Sequence, residues 1–202
     1  MNLNNPIPQE WDDYVTQTAL NLEVIPDQLY DTQTMTAALT QLTFFTSVPA
    51  NESISNLAQP GVLPNPESFL IQAPRIRFNT TVESVSGAAG ALASQFNDIA
   101  LLLNSGRMTL TIGRKIYGPW KLWMMPSGSG LQGQLAAAGA TAANLAYDYG
   151  QTYGPLWGMF PHLMIAPLQP FRVDMFWPAV VAISASRAIE CLFDGQRARA
   201  VQ

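Results

Sequence analysis

The chain has 202 residues, of which 48 % are hydrophobic and 12 % charged, and its formal net charge is −4. That apolar fraction excludes disorder of the whole chain, and the length suits one core. Ten basic residues, only Lys115 and Lys121 being lysines, stand against fourteen acidic ones, which is a poor footprint for the nucleic-acid backbone, so no sequence-specific nucleic-acid binding is expected.

Residues 1–28 carry Glu10, Asp12, Asp13, Glu23 and Asp27 without one basic residue and are broken by Pro6, Pro8 and Pro26. They read as an N-terminal arm with a short helix around residues 11–22, and residues 29–202 as the folded domain. The start has neither a basic nor an apolar leader region, so Sec export is not expected. Gln41 to Ser47 is the first β-branched and aromatic run, ended by Pro49. Ser68 to Asn79 is the next, with Ile76 and Phe78 alternating against Arg75 and Arg77, which predicts an apolar face and a basic face. Pro74 predicts a bulge or an edge there.

Gly87 to Ser105 is the one strong helix candidate, with Leu92, Phe96, Ile99 and Leu103 at helical spacing and Gly106 as its stop. Arg107 to Ile116 alternates as a strand, and Trp120 to Met125 follows as another after a Gly118-Pro119 turn. Leu135 to Tyr147, rich in alanine, fits a short helix or a loop equally. Phe171 to Trp177 alternates as a strand closed by Pro178, and Asp194-Gly195 near the end matches a two-residue hairpin turn. Seven or eight strands with one helical connection give an all-β class: a single β-sandwich of jelly-roll type carrying an N-terminal arm.

The chemistry-bearing residues are few. Cys191 and His162 are the only cysteine and histidine, so no chain-internal disulfide and no Cys₄, Cys₂His₂ or His₃ zinc site can form. His162 lies among apolar residues between two prolines, and Cys191 on the apolar face of the last run, where each reads as a packed side chain. Asp174 and Glu190 are the carboxylates to weigh for a hydrolase, yet Asp174 alternates with Arg172, and an ion pair accounts for both. Met125 to Gln134 lacks the lysine of a phosphate loop. No catalytic, cofactor or metal residue is expected, and the chain reads as a non-enzyme.

What remains is a distribution of charge and apolarity. Residues 1–101 sum to −8 and residues 102–202 to +4, so the halves attract one another, either within one sandwich or between copies. Residues 153–171 hold Trp157, Phe160 and six further large apolar side chains with no charge, more than a small sandwich needs inside. Trp11, Arg75, Arg77, Trp157, Phe160, Arg197 and Arg199 are therefore the candidates for contacts between subunits.

Six segments in this order, LYDTQT (29–34), LTFFTSVP (42–49), GVLPNPESFLIQAPRIRF (61–78), LWMMPSGSG (122–130), FRVDMFWP (171–178) and LFDGQRARAVQ (192–202), resemble small jelly-roll capsid proteins of tailless icosahedral bacteriophages, some of which enclose a membrane. The resemblance covers residues 29–202 and brings no active-site residue with it. It implies a virion protein that self-assembles into a shell, made in the host bacterial cytoplasm, whose partners are copies of itself, other virion proteins and, where one is enclosed, the lipid membrane beneath. A spike or carbohydrate-binding jelly roll is the alternative.

Overall fold

A computed structural model describes residues 22–48, 51, 53–79, 89–125, 134–135, 147–148 and 162–200. Its elements are β1 (Leu22–Met35), β2 (Gln41–Phe44), β3 (Ser68–Asn79), α1 (Ala89–Ser105), β4 (Arg107–Ile112), β5 (Lys115–Lys121), the two-residue strands β6 (Gln134–Leu135) and β7 (Tyr147–Asp148), then β8 (Leu163–Ile165), β9 (Phe171–Phe176) and β10 (Arg187–Ala200). No described helix is long and apolar enough to cross a membrane.

Two four-stranded antiparallel sheets form, in the orders β1-β10-β3-β8 and β2-β9-β4-β5, and β6 pairs only with β7. Leaving that small pair aside, the first strand pairs with the last, the second with the seventh, the third with the sixth and the fourth with the fifth. This is one long antiparallel ribbon rolled over on itself. The chain folds as a jelly roll, the all-β sandwich that the strand pattern predicts.

The core lies where alternating side chains of the two sheets meet. Strand β9 turns Phe171, Val173 and Met175 inward and Arg172 and Asp174 outward, and β4 does the same with Met108, Leu110 and Ile112. Each fully buried side chain of this size contributes about 1.5–3 kcal/mol. At the centre stands Phe45, with no exposed surface, its ring 5.5 Å from that of Phe193 and 5.4 Å from that of Phe171. Its φ of 66° is left-handed, which ends β2 at Phe44. The buried Asp31 carboxylate accepts the Phe45 N–H at 2.6 Å and holds that bend.

Several local expectations give way to longer-range pairing. Strand β1 begins at Leu22, so residues 22–28 belong to the sheet and the arm is shorter than the expected 28 residues. Gly118 and Pro119 lie inside β5, where the β4–β5 register shifts; the turn is made instead at Gly113, whose φ is +58°, and Leu122–Met124 coil as a 3₁₀ turn. Helix α1 ends at Ser105 as expected, but it buries Asp98, Ile99 and Leu102, while Leu103 is only partly buried. Of the alanine-rich stretch only its ends are described, Leu135 opposite Tyr147; the rest, like the helix expected at 11–21, lies outside the described residues.

The largest correction concerns the C-terminus. Asp194-Gly195 is no turn: β10 runs through it for 14 residues, paired to β1 on one side and β3 on the other. Gly195 is not left-handed; the ladder shifts there because Gln72 of β3 is an extra residue between Ala73, opposite Asp194, and Ile71, opposite Gly195. The bulge expected near Pro74 is thus present two residues earlier. Glycine is needed because a Cβ at residue 195 would overlap the Leu70 carbonyl oxygen and lie 2.8 Å from the Phe69 ring. Gly195→Ala should therefore cost about 3 kcal/mol in urea unfolding. A loss under about 1 kcal/mol, as for alanine in an open turn, would contradict this close approach.

Candidate interaction surface

Strand edges are the first places a β-protein can recruit a partner, and here they are guarded. Along the free edge of β1, Thr32 N–H donates to the Ile54 carbonyl at 2.8 Å and Tyr30 N–H to Asn56 Oδ1 at 3.0 Å, while Asn56 Nδ2 donates to the Gln28 carbonyl at 2.6 Å. On the other side of that sheet β8 is three residues long, and β2, an edge of the second sheet, is four. The remaining edge, β5, has Pro119 within it and the chain's two lysines at its ends. Side-chain faces, not strand edges, are what the sandwich offers.

Most of its charges are already answered. Arg197 pairs with Asp27 and, at 2.7 Å, with Glu67, and Arg199 with Glu23 at 2.6 Å. Arg77 faces Glu190 directly across β3 and β10 at 2.5 Å, and Arg75 pairs with Asp194. The acidic first half and the basic second half thus neutralise each other within one sandwich. Four of the expected interface residues, Arg75, Arg77, Arg197 and Arg199, have their cations engaged there; Trp11, Trp157 and Phe160 lie outside the described residues.

The candidate catalytic groups are dispersed. Asp174 sits on the outer side of β9, taking a 3.0 Å bond from Arg172 and one of 2.9 Å from Thr43, whereas Glu190 is in the other sheet. Cys191 is fully buried, and its thiol pKa is pushed well above its ordinary value, first by burial and then by the negative charges of Asp31 and Glu190. A thiol so placed is not a nucleophile. His162 Nδ1 is buried without a hydrogen-bond partner among the described residues, so nothing orients it as a base. No group of three metal-binding side chains occurs among the described residues.

The face that remains is the end of the sandwich where α1 connects β3 to β4. Its hub is Trp177: the backbone N–H donates to the Thr40 carbonyl at 2.9 Å and Nε1 to the Leu102 carbonyl at 2.9 Å. Gly106 lets these parts meet, since a Cβ there would lie 2.6 Å from Trp177 Nε1. A second clamp is buried beside it. Asp98 of α1 accepts the Ser184 N–H at 2.8 Å and hydroxyl at 2.7 Å, and Arg187 Nη2 at 2.6 Å, tying the helix to the start of β10.

On the outside of this rigid junction four large apolar side chains are exposed: Leu39 (37 %), Leu101 (40 %), Trp123 (56 %) and Val180 (60 %). They come from four different connections, each within a few residues of a group the Trp177 hub holds in place. Spacing along the chain, from residue 39 to 180, gives no hint that they share an end. The chain matches no protein-family model, no curated protein and no solved structure.

The Asp98 clamp makes a testable contribution. Burial alone would raise the Asp98 pKa, but the bonds from Ser184 and Arg187 outweigh it and the net direction is down. A carboxylate whose folded pKa is lowered stabilises fully above its unfolded value, about 3.9, and loses that as pH falls through the folded value. Asp98→Asn should therefore cost about 2–3 kcal/mol at pH 7 in urea unfolding, with a gap to the parent that narrows towards acid. A pH-independent gap would show that charge is not what the clamp uses.

Proposed function

We propose that this chain is a structural shell subunit, the self-assembling capsid protein of a bacteriophage, made in the host cytoplasm and residing in the virion. The observation that carries the reading is the apolar end face: four large side chains from four connections, held on a rigid junction, in a sandwich whose strand edges are guarded. Monomeric proteins seldom leave such side chains together at one end, and their burial against neighbours drives association. The jelly-roll order of the strands supports it, since this architecture serves viral shells, although it also serves lectins. Its partners are then copies of itself and other virion proteins.

The test is the mass of the full-length native protein by light scattering and sedimentation, with negative-stain imaging of the same sample. Closed particles or rings of fixed size are expected, and Trp123→Asp should return them to small species without loss of the β-rich circular dichroism spectrum. A stable monomer at high concentration would contradict the proposal and direct attention to glycan binding.

A further inference from the structure

Of the ten basic residues, six form ion pairs with described partners: Arg75, Arg77, Arg172, Arg187, Arg197 and Arg199. The other four, Arg107, Arg114, Lys115 and Lys121, are all exposed, form no ion pair with a described residue, and all belong to the β4–β5 hairpin and its turn. Arg107 and Lys121 are direct cross-strand partners at the helix end, an arrangement that is repulsive on its own. Trp123, 56 % exposed, follows two residues later. A pair of unanswered cations beside an exposed aromatic ring is suited to an acidic, aromatic peptide segment.

The sequence holds one such segment. Residues 10–14 read Glu-Trp-Asp-Asp-Tyr, in a stretch, 1–21, without a single basic residue. We infer that Glu10 to Asp13 of a second copy docks on the Arg107–Lys121 pair, with its aromatic side chains against Trp123. The inference deepens the shell-subunit reading and rests on it for the presence of that second copy.

Reach decides between copies. Leu22 opens β1 at the end of the sandwich remote from α1, and the 13 residues from there to Met35 span about 43 Å along the strand. Arg107 and Lys121 lie at the Met35 end, on the opposite flank: β1 and β2 share one flank, and β5 closes the other. Asp13 is nine residues before Leu22, which extends at most about 30 Å, and Glu10 about 40 Å. The chain's own acidic segment falls short of this pair, whereas a neighbour's meets no such limit.

Because Lys115 and Lys121 are the only lysines, zero-length carbodiimide coupling reports the contact with little ambiguity. Full-length protein labelled with heavy nitrogen is mixed with unlabelled protein before assembly, coupled, digested and examined by mass spectrometry. The expected product joins Lys121 to Glu10, Asp12 or Asp13, with light–heavy pairs as abundant as the two same-isotope pairs together. Arg107→Glu, which keeps Lys121, should lower its yield about tenfold.

Absence of the Lys121 product, same-isotope pairs alone, or a yield indifferent to Arg107→Glu would each overturn the inference. Particles that form without mixed Lys121 products sink this contact and leave the shell reading standing. Mixed products in a species too small for a shell uphold the contact and sink the shell.

Discussion

The last strand of the chain, β10, lies between the first and the third, and its pairing on both sides holds the larger sheet together. All 14 of its residues are partnered by β1, and most of them by β3 as well. This close fit depends on Gly195, where the Leu70 carbonyl comes too near for any side chain. Because strands from opposite chain ends must meet, the contacts are predominantly non-local, a topology that folds slowly. The same strand carries Phe193 into the aromatic centre with Phe45, and its first residue, Arg187, anchors α1 through Asp98.

Where side-chain alternation alone decides, the sequence was legible. Strands β4 and β9, the apolar face of β3, the stop of α1 and the Arg172–Asp174 pair follow from residues within a few positions of each other. What could not be read depends on partners far away. Asp194-Gly195 has the local chemistry of a hairpin turn, but a turn there would forfeit the pairing of β10 with both neighbours. Gly118-Pro119 likewise resembles a turn, and becomes an irregularity within β5 because Gly113 has already reversed the chain.

The surface shows the same division. That the two halves carry opposite charge is evident from composition, but which arginines meet which acids is not, since Arg197 and Asp27 are 170 residues apart. Only after the internal pairs are assigned do the unanswered cations stand out as one hairpin. The apolar end face was still less legible, as its four side chains come from four separate connections. The expected assembly residues were taken from charge and apolar density along the chain, whereas Leu39, Leu101, Trp123 and Val180 are brought together only by the roll of the ribbon.

With strand edges guarded and most charges satisfied internally, the subunit should associate through its helix end and leave both sheets four strands wide. Electron cryo-microscopy of the assembled protein tests this most directly. The account predicts neighbouring subunits in contact through Leu39, Leu101, Trp123 and Val180, with no strand of one subunit added to a sheet of the next. Sheets continuous across subunits, or helix ends facing solvent in the finished assembly, would contradict it.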